Sequence, residues 1–499
     1  MTVLPAWLEP LPDAAAQRAL DSWAIEQHGI PGETLMERAG TGLARICAEL
    51  VPAGSFAIVC GRGNNGGDGH VAARVLREQG REATVIDVGG DAGELSPAAL
   101  AGAAGIVDAL LGTGFSGAPR EPVSGAIAAI NAARAGEPGT RVIACDMPSG
   151  VDGSTGEIVG EAVVADATVT FHAGKPGLWI APGKRHSGSV YVVDIGIPPD
   201  DQPVAATAGL IRRAVSDEIP RRGAASTKFS AGSVLVVGGS RGLTGAPVLA
   251  SMAAARAGAG YVTVAAPASV APALAAKLLE VMTFELPDEP DTGPRRGASR
   301  LAVERAARAD ALVLGPGLGR LPAAAKFARD VARHAKLPLV LDADGLGAHA
   351  EEGGLEQLAE REAPTVLTPH AGELGRLLEL PSTDIEAHRL MLVRTAAERA
   401  QAIVVLKGDD TLIADPAGRV AVSRGGAPAL ATAGTGDVLA GITGAYLAKG
   451  VETFAAACAA VEVHRRAGRI CGLYGHDGVI ASDVIQTLSG AWAWDDEDG

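Results

Sequence analysis

The sequence predicts an α/β protein of two domains, each a mostly parallel sheet flanked by helices. Three observations lead there. At 499 residues the chain exceeds one ordinary domain. Short apolar, β-rich runs alternate with helical segments in both halves, the pattern of a parallel sheet covered on both faces. Each half opens with a strand, a glycine loop and a helix, and Ile197-Pro198-Pro199-Asp200-Asp201-Gln202-Pro203 divides them. We place the first domain at 1–203, a connector at 204–226, the second domain at 227–490 and an acidic tail at 491–499.

Composition narrows the function. Hydrophobic residues make up 47% and charged residues 20%, enough for sizeable cores. A net charge of −15 argues against nucleic acid or an anionic membrane as partner. The longest uncharged run, Ala257 to Ala276, is broken by Gly258, Gly260, Pro267 and Pro272, so no membrane span is expected. Five cysteines without metal-ligand spacing fit a reducing compartment, and a cytoplasmic protein is expected. A homo-oligomer is also expected.

In the first half, Asp13 to Gln27 and Glu33 to Leu50 have helical spacing. Strands follow at Phe56–Val59, Thr84–Val88, Ile106–Ala109, Val142–Cys145, Thr168–Phe171 and Val190–Ile195. Ligands of such sheets sit beyond the carboxyl ends of the strands. Three loops leave those ends. Gly61 to Gly69 matches G-x-G-x-x-G, with Asp87 where a Rossmann fold would hold a ribose, so a hydride-transferring oxidoreductase is a rival reading. Against it, Asn64, Asn65 and Asp68 fill the loop with side-chain oxygens. The other loops are Asp108 to Gly117 and Asp146 to Gly153. Asn65, Asp108 and Ser149 offer oxygens from three strand ends, a set suited to a hard cation of low charge. Taken singly, each also fits a cap or a turn.

These loops, N-N-G-G-D-G, D-x-L-L-G-T-G and D-x-P-S-G-x-D, make Asp13 to Pro198 resemble NAD(P)H-hydrate epimerase. The resemblance implies a Rossmann-like three-layer α/β/α domain that interconverts the R and S forms of hydrated NADH and NADPH. It implies a potassium ion on Asn65, Asp108 and Ser149. It places the hydrate on Asn64, Asn65, Gly66, Gly67 and Asp68, on Gly112, Thr113, Gly114, Phe115, Ser116, Gly117 and Ala118, and on Asp146. Reversible opening beside the ring nitrogen would scramble C6, with Asp146 shuttling the proton. Lys175 is a further candidate, or a loop cation. His70 stands where the family has an apolar residue and reads as packed or surface-exposed. A ligand sensor without catalysis is another reading of this half.

In the second half, strands are expected at Val234–Val237, Tyr261–Ala265, Ala311–Leu314, Leu339–Asp342, Thr365–Leu367 and Ile403–Leu406. A hairpin follows at Thr411–Ala414 and Val420–Ser423, and a helix begins near Gly245. Pro287 to Arg300, rich in Pro, Gly and charge, is expected as a mobile surface loop. The decisive stretch is Ala431 to Gly441. Gly434-Thr435-Gly436 leads into an acid, Asp437, and then an apolar helix. Unpartnered N–H groups and the helix dipole favour an anion there, and bare glycines let a phosphate approach. Beside a phosphate, Asp437 suits removal of a proton from an attacking hydroxyl; it would also complement the helix dipole.

V-x-G-G-S, G-P-G-L-G, D-A-D-G, T-P-H-x-G-E, V-L-K-G and G-T-G-D occur in that order from Thr227 to Val484. This half resembles ADP-dependent NAD(P)H-hydrate dehydratase, of the ribokinase-like group. The resemblance implies phosphorylation of the C6 hydroxyl by ADP, with magnesium, and loss of phosphate to restore the dihydropyridine. Ala246, Gly317, His370 and Asp437 would touch the hydrate, with Asp437 as base. Lys407, Gly408, Asp409, Asp410, Thr411, Gly434, Thr435 and Gly436 would touch the nucleotide. His370 reads also as a helix cap, and Asp342 and Asp344 as magnesium ligands or caps. The rival here is a vitamin or sugar kinase of the same group. The substrates expected for the whole chain are the NADH and NADPH hydrates and ADP.

Overall fold

The computed structural model describes residues 4–89, 95–199, 205–289, 291–350 and 353–494. The acidic residues Asp495, Asp496, Glu497 and Asp498 lie outside them, as do residues 200–204. Two compact units emerge: residues 10–209 with 1–4, and residues 210–499 with 5–9. Residues 204–226 are structured in part, with a strand Ala208–Ile211 and a 3-10 turn Arg213–Glu218.

The first unit holds a six-stranded sheet in the order Ala83–Asp87, Phe56–Cys60, Gly105–Ala109, Arg141–Cys145, Ala167–Phe171 and Ser189–Val193. Every pairing is parallel. The strand period of two explains the layers. Phe56, Ile58 and Cys60 pack on one face, with Leu43 and Leu76. Ala57 and Val59 pack on the other, with Ile127 and Ile130. The strand order reverses between Phe56–Cys60 and Gly105–Ala109, so a crevice opens beyond their carboxyl ends. The N-N-G-G-D-G segment is not a loop. Asn64 to Glu78 form a helix with Gly63 at its N-cap, so Asn64, Asn65 and Asp68 belong to its first turns. Gly66 is required there: a Cβ would stand 1.9 Å from the Gly61 carbonyl oxygen.

From residue 233 onward the second unit's sheet runs 420–422, 412–414, 403–406, 365–367, 339–341, 311–314, 233–237, 261–267 and 282–286. Pairings are parallel except at the hairpin 412–422. Val237, Leu314, Leu341 and Leu367 are linked in register, so Gly238, Gly315, Asp342 and Thr368 follow at one edge. Helix Thr435–Ala448 is buried along nearly its whole length. Its small residues permit this: a Cβ on Gly441 would meet the Ala250 carbonyl oxygen at 2.0 Å, and one on Gly444 would meet Val313 Cγ2 at 2.5 Å. Residues 287–300 are not a plain loop. Asp288–Glu289 pairs antiparallel with Gly293–Pro294, and a helix begins at Ala298. Trp7, buried, packs 5.9 Å from Phe454, and Glu9 pairs with Arg424, which ties residues 5–9 to this unit.

Candidate active sites

The crevice of the first unit is a cleft of ≈ 960 Å³. Asn64, Asn65, Asp68, Gly112, Thr113, Gly114, Phe115, Asp146 and Lys175 line it. Gly66, Gly67, Ser116, Gly117 and Ala118 are not on its wall. Asp146 follows strand Arg141–Cys145 in the left-handed region, φ 63°. Such backbone strain persists where the surroundings over-determine it. Those surroundings are a set of donors. Asp146 Oδ2 accepts from Thr113 N at 2.6 Å and from Thr113 Oγ1 at 2.7 Å. Oδ1 accepts from Thr170 Oγ1 at 3.2 Å and lies 3.2 Å from Lys175 Nζ. Burial alone would raise this carboxyl, but Lys175 and Thr113 outweigh it and hold Asp146 below its ordinary range. Lys175, fully buried, also donates to Thr170 Oγ1 at 2.9 Å and to the Phe171 carbonyl at 2.8 Å.

Asp68 has the opposite setting. Burial, then the charges of Asp146 and Asp21, push its carboxyl up to about 8. Asp21, with Gln17 and Arg18, reaches the cleft from helix Ala14–Glu26. These three were missed in the sequence. Their signal was a polar i, i+4 pair on a buried helix face, for Gln17 Nε2 donates to Asp21 Oδ1 at 2.9 Å.

Behind this wall lies an oxygen cluster. Ser149 Oγ donates to Asp108 Oδ1 at 2.6 Å, and Ser149 N donates to Asp108 Oδ2 at 2.8 Å. Burial pushes Asp108 up to about 6, with the Ser149 bonds opposing it. Asn65 Oδ1 and Nδ2 are buried without a hydrogen-bond partner among the described residues. Asp87, the ribose-binding position of the oxidoreductase reading, instead pairs with His70 Nε2 at 2.8 Å.

In the second unit, Gly434 is the N-cap of helix Thr435–Ala448 at φ 92°, a conformation glycine adopts without cost. Thr435 Oγ1 fastens the turn by donating to the Leu430 and Thr432 carbonyls, each at 2.9 Å. Asp437 falls in the first helical turn. Burial, then the charge of Asp342, pushes it up to about 7, with Lys407 opposing. Lys407 Nζ stands 3.2 Å from Asp342 Oδ1 and 3.6 Å from Glu373 Oε2. Burial would lower this ammonium, but the two acids hold it above its ordinary value. A Cβ on Gly436 would lie 3.5 Å from Lys407 Nζ, so the glycine turn and the lysine face one another.

A cavity of ≈ 340 Å³ adjoins them, lined by Lys407, Gly408, Asp409, Thr411, Thr435 and Gly436. Asp410 is not on its wall. It is buried and takes Arg389 Nε at 3.0 Å, so it anchors the loop from behind. His464 and Arg465 line the cavity and were missed; buried basic residues on an apolar helix were their signal. Gly317, at φ 67°, is close to Ala246: its Cβ would lie 3.4 Å from Ala246 Cβ. His370 caps helix Ala371–Leu378, its Nδ1 accepting from Gly372 N and Glu373 N. Its capping-box partner Glu373 is the acid beside Lys407, so the cap also ties His370 to this cluster.

Comparison with known proteins is specific. A family model described as NAD(P)H-hydrate dehydratase matches residues 234–488. One described as YjeF-related protein N-terminus matches 32–104 and 86–177. A bifunctional NAD(P)H-hydrate repair enzyme of Salinibacter ruber is 39% identical, over 96% of this chain and 95% of its own. The chain belongs to the bifunctional NAD(P)H-hydrate repair enzymes. Another member, from Moorella thermoacetica, is 38% identical over 95% of each chain. Among solved structures, an ADP/ATP-dependent NAD(P)H-hydrate dehydratase from Bacillus subtilis, co-crystallised with ATP and Mg2+, is 27% identical. It covers 56% of this chain and 95% of its own, with a TM-score of 0.48. In this repair enzyme both matched regions contain one of the two strand-end sites.

Proposed function

We propose that the chain repairs hydrated NADH and NADPH in two steps. The first unit interconverts the R and S hydrates. The second dehydrates the S form at the expense of ADP, by phosphoryl transfer to the C6 hydroxyl and elimination of phosphate. One observation carries the second step: Asp437 stands in the first turn of a glycine-capped helix, among Lys407, Asp342 and Glu373. A base whose pKa lies near 7 can accept the C6 hydroxyl proton as that oxygen attacks phosphorus. Lys407 and the backbone N–H groups at the helix start would take the negative charge of the transferred group. The cavity beside Gly436 would hold the rest of the nucleotide. Elimination of phosphate from C6, with loss of a C5 proton, then returns the conjugated ring.

Magnesium would accompany ADP and neutralise phosphate charge. Asp342 is engaged by Lys407 and by Thr368 Oγ1 at 2.7 Å, and Asp344 by Gly319 N at 2.8 Å, so neither is assigned to the ion. The orphaned Asn65 amide and the oxygens of Asp108 and Ser149 fit potassium, which would fix the strand-end loops around the hydrate.

Asp437→Asn tests the second step. It should lower recovery of 340 nm absorbance from S hydrate plus ADP by at least about 100-fold, as loss of a general base does, and leave epimerisation intact. Dehydration at the parental rate would remove Asp437 as the base. A stable phosphorylated product from the parent enzyme would identify a kinase instead.

A further inference from the structure

The first unit's cleft holds two acids with unequal freedom. Asp146 is saturated: its two oxygens serve Thr113 N, Thr113 Oγ1, Thr170 Oγ1 and Lys175 Nζ. A carboxylate so engaged has no oxygen left to exchange a proton with a substrate. Asp68 lines the same cleft, is 8% exposed, and its surroundings act on its carboxyl through burial and charge rather than through a hydrogen bond. Its oxygens face the cleft, where a bound substrate can reach them, and neither is tied up by a donor among the described residues as those of Asp146 are. The helix carrying it is pinned at Gly66 against Gly61, so its position is fixed.

We propose that Asp68, rather than Asp146, is the residue that exchanges a proton with the C6 hydroxyl during epimerisation. This rests on the repair function proposed above. In the ionised form, Asp68 takes the hydroxyl proton. The C6–O bond becomes a carbonyl as the C6–N1 bond breaks, and its electron pair moves onto N1 and into the conjugated carboxamide. Rotation about C5–C6 presents the other face of the aldehyde. N1 then re-forms its bond to C6, and the oxygen recovers its proton from Asp68. No atom or electron is gained or lost. Asp146 and Lys175 are positioning residues that hold the Thr113 segment and the cleft wall. The groups facing Asp68 are Asp146, Asp21 and Lys175, the two acids raising its pKa and the lysine lowering it. The resulting value, about 8, keeps a usable ionised fraction near neutrality.

The test uses the full chain without ADP, so the second site stays silent, and follows R to S conversion by chiral chromatography with the spontaneous rate subtracted. For the parent enzyme, kcat should rise with pH and level off above about 8. Asp68→Asn should lower kcat by about 100-fold or more, with KM for the hydrate changed less than about threefold and the pH rise gone. A parent profile flat across this range overturns the proposal without any variant. So does an Asp68→Asn enzyme that keeps its kcat, or whose loss lies wholly in KM. A parent chain with no epimerisation overturns the repair function itself, a distinct result.

Discussion

Asn65 carries an unexplained pair of atoms: its amide oxygen and nitrogen are both buried and neither has a partner among the described residues. Leaving a polar group so placed costs about 1–3 kcal/mol each. A cation on its oxygen, shared with Asp108 and Ser149, would offset the oxygen's part of that cost. Replacing potassium by a large organic cation such as choline should therefore slow epimerisation and lower the melting temperature of the first unit. The S-hydrate dehydration rate, read at saturating ADP, should not fall in parallel. Unchanged epimerisation without potassium would contradict the ion assignment. At this scale the sequence was informative about Asp108 and Ser149, which leave neighbouring strands and meet in two hydrogen bonds. It was silent on environment. Asp68 and Asp146 read as equivalent acids until Thr113, Thr170 and Lys175 are seen gathered on only one of them. Those donors come from separate segments, and no local pattern announces them.

The loop 407–411 shows how an element holds a site. Arg389, buried at 2% exposure on helix Arg389–Ala400, reaches Asp410 at 3.0 Å and the Lys407 carbonyl at 3.5 Å. Gly408 makes room, since a Cβ there would lie 2.6 Å from Arg389 Nη2. Asp410, which the resemblance places at the nucleotide, is bonded to Arg389 behind the loop. Arg389→Ala leaves Asp410 buried without this cation. It should destabilise the second unit by about 3–5 kcal/mol in denaturant melts and raise KM for ADP. An unchanged midpoint and KM would contradict the anchoring role. Strand positions were legible because apolar β-rich runs between helices have few alternatives. The two-residue strands at 288–289 and 293–294 were not, since so short a pairing carries no periodicity. The helix start at Asn64 was hidden by its glycines, which read as loop.

At the scale of the molecule, two sheets present polar side chains beyond the carboxyl ends of their parallel strands. Among the described residues no helix is long and apolar enough to cross a membrane. The two-sheet architecture was legible from the alternation of strand and helix. The tie between residues 5–9 and the second unit was not, because Trp7 meets Phe454 across most of the chain length. Pairing the two activities has a chemical reason: only the S hydrate is consumed, so the R hydrate is recovered only through epimerisation. The direct test mixes equal R and S hydrates with ADP, magnesium and potassium and follows 340 nm absorbance. We predict a fast phase from the S form, then a second phase that carries recovery to completion. Recovery that stops at half, or that yields a stable phosphorylated product in place of NADH or NADPH, would contradict the account.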